Sequence, residues 1–280
     1  MRKFDFFGNL MLAICGFSTA TLLFIFGYIC YLLTSGANAL RPDFLFSSIL
    51  NGGIFEPLIG TLYLFIGATA IVAPVGTLAA VYMVEYSPRG RLTRLVDNAI
   101  NNLAGVPSIV FGMFGFTFFC KLMGLGISML SGWLTMACMM FPLMIRSVEE
   151  ALKMIPETVR EASLALGATK WQTISRIILP SAIPGILTGI ILSITRIAGE
   201  TAAILLTTCF YTMRGLPKTP LDPIITLTYY LYTMILFMPG HLDLNKLFGL
   251  ALVLFLLTTI LSSIAFVIRA YYRRRWGRWM

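Results

Sequence analysis

The sequence predicts an all-α integral membrane protein with six transmembrane helices. Three observations support this fold class: an apolar composition, six long runs nearly free of charge, and basic residues that cluster between those runs. Hydrophobic residues are 58% of the 280 residues and charged residues only 12%, against about 45–50% and about 25% in soluble domains. No soluble core of this size buries so much apolar surface, so the composition excludes a soluble domain.

Each predicted span is an apolar run long enough to cross the membrane, because about 20 residues of helix cover about 30 Å of hydrocarbon. The whole chain, 1–280, is treated as a single transmembrane domain. The predicted spans are 10–34, 57–84, 98–120, 122–145, 181–210 and 247–268, with a polar loop at 146–180 and an outer loop at 213–246.

The basic residues predict which side of the membrane the termini face. Of 21 Lys and Arg residues, fifteen lie on the side of the two termini, five lie on the opposite side, and Arg196 lies within a span. Basic residues favour the cytoplasmic side, so we expect a multi-pass protein of the plasma (inner) membrane with both termini in the cytoplasm. The net charge of +9 therefore reflects topology and contact with membrane lipid, and we expect no nucleic-acid partner.

Motifs of covalent chemistry are missing from the sequence. It has no H-E-x-x-H, no G-x-S-x-G and no nucleotide-binding G-x-x-x-x-G-K-[ST]. The single histidine, His241, is expected to be a surface residue of the outer loop. The five cysteines are expected to be small apolar side chains, without a disulfide or metal role; they are Cys15, Cys30, Cys120, Cys138 and Cys209. We therefore expect no catalytic site, no metal and no bound cofactor in this chain.

The loop at 146–180 predicts two short helices joined at a glycine. Pro156 suits the first position of a helix, and Gly167 suits the left-handed residue that ends one. Thr169 and Gln172 have the spacing of a capping box that starts the next helix. Such an elbow offers a rigid knob to a cytoplasmic partner, and the alternative is an amphipathic loop on lipid headgroups.

The same loop resembles the EAA loop of ABC-importer permeases. The run Glu161-Ala162-Ser163, then Gly167, then Ile177-x-Leu179-Pro180 follows the spacing E-A-A-x3-G-x9-I-x-L-P, with Ser163 as the one departure. In that family the loop forms a coupling helix that seats in a groove of the ATPase. By resemblance, 156–170 carries the coupling role here, with contacts from Glu161, Ala162, Ser163, Gly167, Ile177, Leu179 and Pro180.

Three further blocks resemble the A-type permease of phosphate importers in particular. They are Val106 to Gly112, Pro142 to Ser147, and Arg196-Ile197-Ala198-Gly199-Glu200-Thr201-Ala202. The likeness runs from about Pro57 to Thr208. Where the family usually has Pro after G-E-T-A, this chain has Ala203, so a proline kink at that point is absent or is replaced by Gly199.

The resemblance implies a fold, a function and partners. The implied fold is that of type I ABC importer permeases, and the implied function is that of a permease subunit of an ATP-driven phosphate importer. The implied partners are a second, similar permease subunit, two copies of a cytoplasmic ATPase that binds ATP and Mg, and an extracytoplasmic phosphate-binding protein. The outer run 224–237 is expected to be an interfacial helix that helps to receive this protein. A rival interpretation makes it a seventh span, against the charge rule.

Charged side chains inside a span predict the route of the transported ion. Each ionised group at mid-membrane costs about 2.5–3.5 kcal/mol, so Arg196 and Glu200 must face protein or water. Their i,i+4 spacing predicts one helical face, shared with Ser193 and Thr207. Thr201, next to Glu200, is a further candidate for the substrate pathway. Arg196 would bind two phosphate oxygens, and Glu200 would accept the proton that phosphate carries and sulfate lacks. The alternative is a structural ion pair that fixes helix packing.

Arg146 is a second candidate, at the cytoplasmic end of the fourth span. It is predicted to be either a topological anchor or an anion contact on the exit side. Two rivals to the phosphate assignment remain. One is a permease for another oxyanion, such as sulfate or molybdate, and the other is an ion-coupled secondary transporter.

Overall fold

A computed structural model describes residues 6–88, 90–210, 215–237 and 243–276. Its α-helices are α1 Phe6–Ser35, α2 Pro42–Phe46, α3 Phe55–Val81, α4 Arg91–Ala104, α5 Ser108–Gly115, α6 Met129–Lys153, α7 Glu157–Ala165, α8 Lys170–Thr173, α9 Leu179–Gly199, α10 Ala202–Thr207, α11 Leu227–Phe237 and α12 Leu244–Trp276. Three short π-helical segments connect to these helices. Tyr82–Tyr86 extends α3, Phe116–Leu122 extends α5, and Ile174–Ile178 joins α8 to α9. Strand pairing in the described part is one isolated bridge, between Cys209 and Ile224. Arg2, Lys3, Arg89, Arg214, His241 and Arg278 lie outside the described residues.

Five of the described helical segments are long and apolar enough to cross a membrane, and there are six if the bent pair of α4 and α5 is counted as one span. The five are Gly8–Ala39, Phe55–Tyr86, Met129–Lys153, Lys170–Gly199 and Leu244–Tyr272. The all-α fold class is thereby confirmed.

The third span differs from the prediction of one helix over 98–120. Helices α4 and α5 meet at an angle of 105°, and the chain between them is Gly105, Val106 and Pro107. Pro107 lies directly before α5 with an extended backbone. Proline disfavours a helical conformation at the residue that precedes it, so α4 ends before Pro107. α4 is amphipathic and polar on one face, so charge-free sequence alone did not distinguish it from a spanning segment.

The fourth span is displaced along the chain from its predicted range of 122–145. Residues 123–128 form a turn in which Gly124 and Gly126 adopt positive φ values of 71° and 64°. α6 then continues past Arg146 to Lys153. The prediction ended the span at the first charge, but ion pairs of that charge allow the helix to continue.

The core is formed where α3, α6 and α9 pack together. Its fully buried members include Leu64, Met140, Met144 and Ile178. Gly185 of α9 lies directly against Ala151 of α6, and a Cβ on Gly189 would come within 2.7 Å of Met144 Sδ. The pair Gly185-x-x-x-Gly189 thus brings the two helices close, as small residues do in membrane proteins.

A smaller cluster joins the outer helices to the bundle. Ile54, Leu227, Leu250 and Val253 are its buried members. α11 has 11 residues, or about 16 Å of helix, which is too short to cross about 30 Å of hydrocarbon. The seventh-span interpretation is therefore wrong.

Candidate functional site

The fifth span is interrupted next to the candidate charged residues. α9 ends at Gly199, Glu200 is extended with φ −78° and ψ 137°, and α10 begins at Ala202. The Thr228 hydroxyl donates a hydrogen bond of 2.9 Å to the Glu200 carbonyl oxygen, which satisfies one backbone acceptor at the break. Ala203 is the second residue of α10, so the interruption forms without a proline. The predicted span 181–210 is therefore interrupted directly after Gly199, the residue named as the alternative source of a kink.

The position of Arg196 along the bundle follows from the packing of α9 on α6. Gly185 contacts Ala151, and Gly189 contacts Met144 and Ser147, so α9 runs antiparallel to α6. Arg196 is seven residues beyond Gly189, or about 10 Å along the helix. This register brings Arg196 level with about the centre of α6. Helices broken within a membrane span are a recurrent way to expose polar backbone groups to a transported solute.

Arg196 and Glu200 do not lie on one continuous helical face. The Arg196 side chain is exposed on the surface of the subunit and Glu200 is half-buried. No described carboxylate lies within ion-pair distance of Arg196, so the structural ion pair with Glu200 is not formed. Arg196 is in the last turn of α9, where the helix dipole favours a cation.

The other members of the predicted polar stripe are distributed differently. Ser193 is fully buried and donates to the carbonyl oxygen of Gly189 at 2.8 Å, so it lies one turn further along the face on which Gly189 contacts α6. Thr207 is buried in α10 and donates to the Ala203 carbonyl oxygen at 3.0 Å. Thr201 is half-buried at the start of α10. The break rotates the chain after Gly199, so the prediction that these side chains share one face is wrong.

Two sequence blocks that are far apart in the chain meet at α10. A Cβ on Gly112 of α5 would lie 2.9 Å from the Cα of Ala203, so only glycine allows α5 to approach α10 this closely. The Val106 to Gly112 block therefore supports the segment that follows Glu200. Packing of α5 holds the break in place.

Arg146 is held by protein acceptors on two helices. Its Nε donates to Asn101 Oδ1 at 3.0 Å, and Nη2 donates to the Asp97 carbonyl oxygen at 3.0 Å and lies 2.5 Å from Asp97 Oδ1. Nη1 pairs with Glu149, whose other oxygen pairs with Lys153 at 2.6 Å. These bonds tie α4 to α6 and favour an anchoring role. An anion contact by Arg146 stays a prediction, and it would require one of these bonds to break.

The polar loop forms the predicted elbow of two helices. Gly167 has φ 83°, and the Gly167 and Ala168 N–H groups donate back to Leu164 and Ser163 carbonyl oxygens, which is a typical glycine helix end. The capping box of Thr169 and Gln172 is confirmed in both of its hydrogen bonds. Pro156 directly precedes α7 instead of occupying its first position.

The residues of the EAA-like run divide into an exposed set and a buried set. Glu161 and Ala162 are exposed, and Ser163 is buried with its hydroxyl 2.9 Å from that of Thr173, which joins α7 to α8. Ile177, Leu179 and Pro180 are half-buried along the entry to α9. Leu166 is 89% exposed at the tip of the elbow. Such an apolar tip is typical of a surface that another protein covers.

Several polar and charged residues of this region were missed by sequence analysis. Glu85 and Tyr86 at the end of α3 contact the elbow, and Asp97, Asn101 and Glu149 surround Arg146. The available signal was the presence of acids at the ends of apolar runs, which does not identify their partners. Among the described residues, no three His, Cys, Asp or Glu side chains come together as metal ligands.

An all-α bundle of apolar helices, one of them broken beside charged residues, together with an exposed polar elbow is typical of polytopic membrane proteins that move a solute. The chain belongs to the family described as "Binding-protein-dependent transport system inner membrane component", which matches residues 72–278.

Named relatives and solved structures agree with this family. The chain is 35% identical to the probable ABC transporter permease protein YqgI of Bacillus subtilis, over 73% of this chain and 70% of that protein. It is 37% identical to the phosphate transport system permease protein PstA 1 of Mycobacterium tuberculosis, over 80% and 73%. The fold is that of type I ABC importer permeases.

The MetNI methionine ABC transporter matches with TM-score 0.62 at 18% identity, over 78% of this chain and 95% of that chain. A bacterial alginate ABC transporter matches with TM-score 0.68 at 15% identity, over 94% and 96%.

Proposed function

We propose that this chain is a permease subunit of an ATP-driven importer of inorganic phosphate and forms half of its translocation pathway. The observation that carries the proposal is an exposed Arg196, without an ion pair among the described residues, beside the break at Glu200 and level with about the centre of α6. The 37% identity between this chain and a phosphate transport system permease protein supports phosphate over other anions as the substrate.

The chemistry of the two side chains suits phosphate. A guanidinium presents two parallel donors that match two phosphate oxygens. Glu200, at the start of the interruption, would accept a hydrogen bond from the proton that phosphate retains near neutral pH. Sulfate has no such proton, so the carboxylate would repel it. Thr201 adds a hydroxyl next to this pair.

The elbow is proposed to couple this pathway to a cytoplasmic ATPase, which binds ATP and Mg in place of this chain. Its exposed apolar side chains, including Leu164, Leu166 and Trp171, offer a surface for that contact. Two ATPase copies, a second permease and an extracytoplasmic phosphate-binding protein complete the proposed complex. Closure of the ATPases would push the elbows and switch the access of the pathway. The charge distribution supports cytoplasmic termini and a cytoplasmic elbow.

Uptake of labelled phosphate tests the substrate assignment. In cells whose own copy is removed, wild-type chain should restore uptake at low phosphate, and excess sulfate should not reduce it. Arg196→Ala and Glu200→Gln should each reduce uptake about tenfold or more, because a charge-assisted hydrogen bond is worth about 1.5–3 kcal/mol. Matched controls are Arg41→Ala and Glu150→Gln, two exposed residues without a described ion pair.

The outcomes separate the rival functions. Normal phosphate flux through an assembled Arg196→Ala complex would refute the role of that side chain. Competition by sulfate or molybdate would indicate a permease for another oxyanion. Uptake that collapses with the ion gradient while ATP remains would indicate a secondary transporter.

Co-purification tests the coupling surface. Leu166→Ser should reduce the amount of ATPase that purifies with the permease, because it removes the most exposed apolar side chain of the elbow. Leu50→Ser is the control, because Leu50 is 73% exposed and lies just before the start of α3, whereas the elbow contacts the other end of that helix. Equal recovery of ATPase from both variants would contradict docking at Leu166.

A further inference from the structure

A nearly buried ion pair joins the elbow to the end of α3. Arg160 of α7 donates from Nε and Nη2 to Glu85 Oε1, at 3.1 Å and 2.8 Å. The side chains are 12% and 7% exposed. The second carboxylate near Arg160, Glu157, is 3.4 Å away and 73% exposed, so it is a weak, solvated partner. Glu85 is the principal acidic partner of this guanidinium.

The same guanidinium also holds the end of α6. Nη1 donates to the Ile155 carbonyl oxygen at 2.7 Å, and Nη2 donates to the Leu152 carbonyl oxygen at 3.0 Å. Carbonyl groups at a helix end have no partner within the helix, so Arg160 satisfies them. One side chain therefore links α7 to the last turns of both α3 and α6.

The second half of the elbow contacts the same turn of α3. Lys170 of α8 donates to the Glu85 carbonyl oxygen and lies 4.7 Å from the centre of the Tyr86 ring. Both helices of the elbow thus contact Glu85, and α8 also contacts Tyr86. The contact between the Ser163 and Thr173 hydroxyls joins the two helices of the elbow beside this turn.

The end of α3 has a backbone suited to local movement. Tyr82–Tyr86 is a π-helical turn, closed by a 2.9 Å hydrogen bond from Ser87 N–H to the Tyr82 carbonyl oxygen. Turns of this kind are uncommon and frequently occur at functional sites. The elbow is otherwise separated from α4 by a cavity of about 790 Å³, lined by Glu85 and Arg160 on one side and by Thr93 and Asp97 on the other.

We infer that Glu85 and Arg160 are a positioning pair through which movement of the elbow reaches α3 and the bundle core. The inference rests on the proposed function, because it requires the elbow to be moved by an ATPase. It adds a specific route: the displacement passes through the Glu85 side chain to the π-helical turn, in addition to the direct chain connection into α9. Loss of the pair should leave ATP hydrolysis intact and separate it from transport.

The test compares coupling with folding in the complete complex. Glu85→Gln and Arg160→Lys are reconstituted with the partner subunits in proteoliposomes, together with the control Glu150→Gln, an exposed residue of α6. We expect phosphate transported per ATP hydrolysed to fall about tenfold in the two variants while the hydrolysis rate stays within about twofold. Glu85→Asp keeps the charge and should recover part of the ratio. A purely structural pair would lower protein yield, hydrolysis and transport in parallel.

A second measurement does not depend on the transported solute. Tyr63→Cys places a thiol on the far half of α3, at a half-exposed position, and its labelling by a thiol reagent is followed in nanodiscs with and without trapped nucleotide. The rate should change on trapping in the otherwise wild-type complex and stay constant with Glu85→Gln. Equal responses in both would overturn the inference. A nucleotide response that requires Glu85, in a complex that imports no phosphate, would support the inference and refute only the proposed substrate.

Discussion

Two arginines on the spanning helices have opposite surroundings. The Arg146 guanidinium contacts Asn101, Asp97 and Glu149, whereas no described carboxylate contacts Arg196. A charge near the centre of a membrane requires protein or water around it, and a guanidinium without an internal partner is available to an anion. The structure thus assigns different chemistry to two residues that look alike in the sequence.

Glu149 is expected to be essential for the stability of the α4 and α6 contact. Its side chain is 7% exposed and pairs with both Arg146 and Lys153. Glu149→Gln should lower the free energy of unfolding by about 2 kcal/mol, because it replaces the nearly buried carboxylate shared by Arg146 and Lys153 with a neutral amide and leaves Arg146 only Asp97 as an acidic partner. Thermal unfolding of the purified complex measures the change. The adjacent, exposed Glu150→Gln is the control, and equal melting temperatures for the two variants would contradict the prediction.

Asp222 is expected to make the outer segment sensitive to acid. The backbone N–H groups of Thr219 and Lys218 each donate to its carboxylate at 2.8 Å and hold its pKa below the usual value. A lowered folded-state pKa stabilises the segment above the unfolded pKa of about 3.9, and this stabilisation is lost as the pH falls through the folded value.

Hydrogen exchange of the Lys218 and Thr219 amides measures this dependence. Protection should be constant from neutral pH to about pH 5 and should fall below about pH 4. Asp222→Ala should remove the protection at every pH. Protection that is insensitive both to acid and to Asp222→Ala would show that the carboxylate does not hold the segment.

At the scale of elements, the packing of α9 on α6 sets the depth of the break. Gly185→Val should force the two helices apart, because even a Cβ at this position would overlap Ala151. Overpacking of this kind costs about 1–3 kcal/mol. Gly27→Val is the matched control, since a Cβ on Gly27 meets nothing within 4 Å. Membrane abundance and melting temperature should fall only for Gly185→Val, and a comparable loss for both variants would contradict this packing role.

The elbow is a second element whose geometry follows from a few local rules. Gly167 supplies the left-handed residue, Thr169 caps α8, and Ser163 joins the two helices. None of these features fixes the elbow to the bundle. Arg160 and Lys170 attach the elbow to the end of α3.

At the scale of the whole molecule, the exposed Arg196 makes the isolated subunit incomplete. Exposure to lipid at mid-membrane would cost several kcal/mol, so another subunit or a water-filled path must cover this side chain. We expect the chain to be depleted from membranes when the second permease is absent and restored when it is co-expressed.

Arg196→Leu distinguishes this cause from general instability. It should raise the abundance of the isolated chain about twofold or more, because leucine is tolerated by lipid, while it abolishes transport in the complete complex. Quantitative immunoblotting of membranes provides the measurement. An isolated wild-type chain as abundant as the co-expressed one would contradict the need for a covering partner.

The sequence alone determined the features that depend on local pattern. Apolar runs identified the membrane class because the lipid requirement acts on every residue of a span. The elbow at Gly167 and its capping box were predicted correctly because their hydrogen bonds join residues only a few positions apart. The EAA-like spacing identified the family because that motif occupies one continuous segment.

Only the tertiary structure decided the features that depend on distant contacts. It ended α9 at Gly199, bent the third span at Pro107, and buried Ser193 against α6. It also joined Glu85 to Arg160, which are 75 residues apart. Periodicity within one helix does not identify which distant element packs against a given face, so these placements follow from the energy of packing and charge pairing in the assembled bundle.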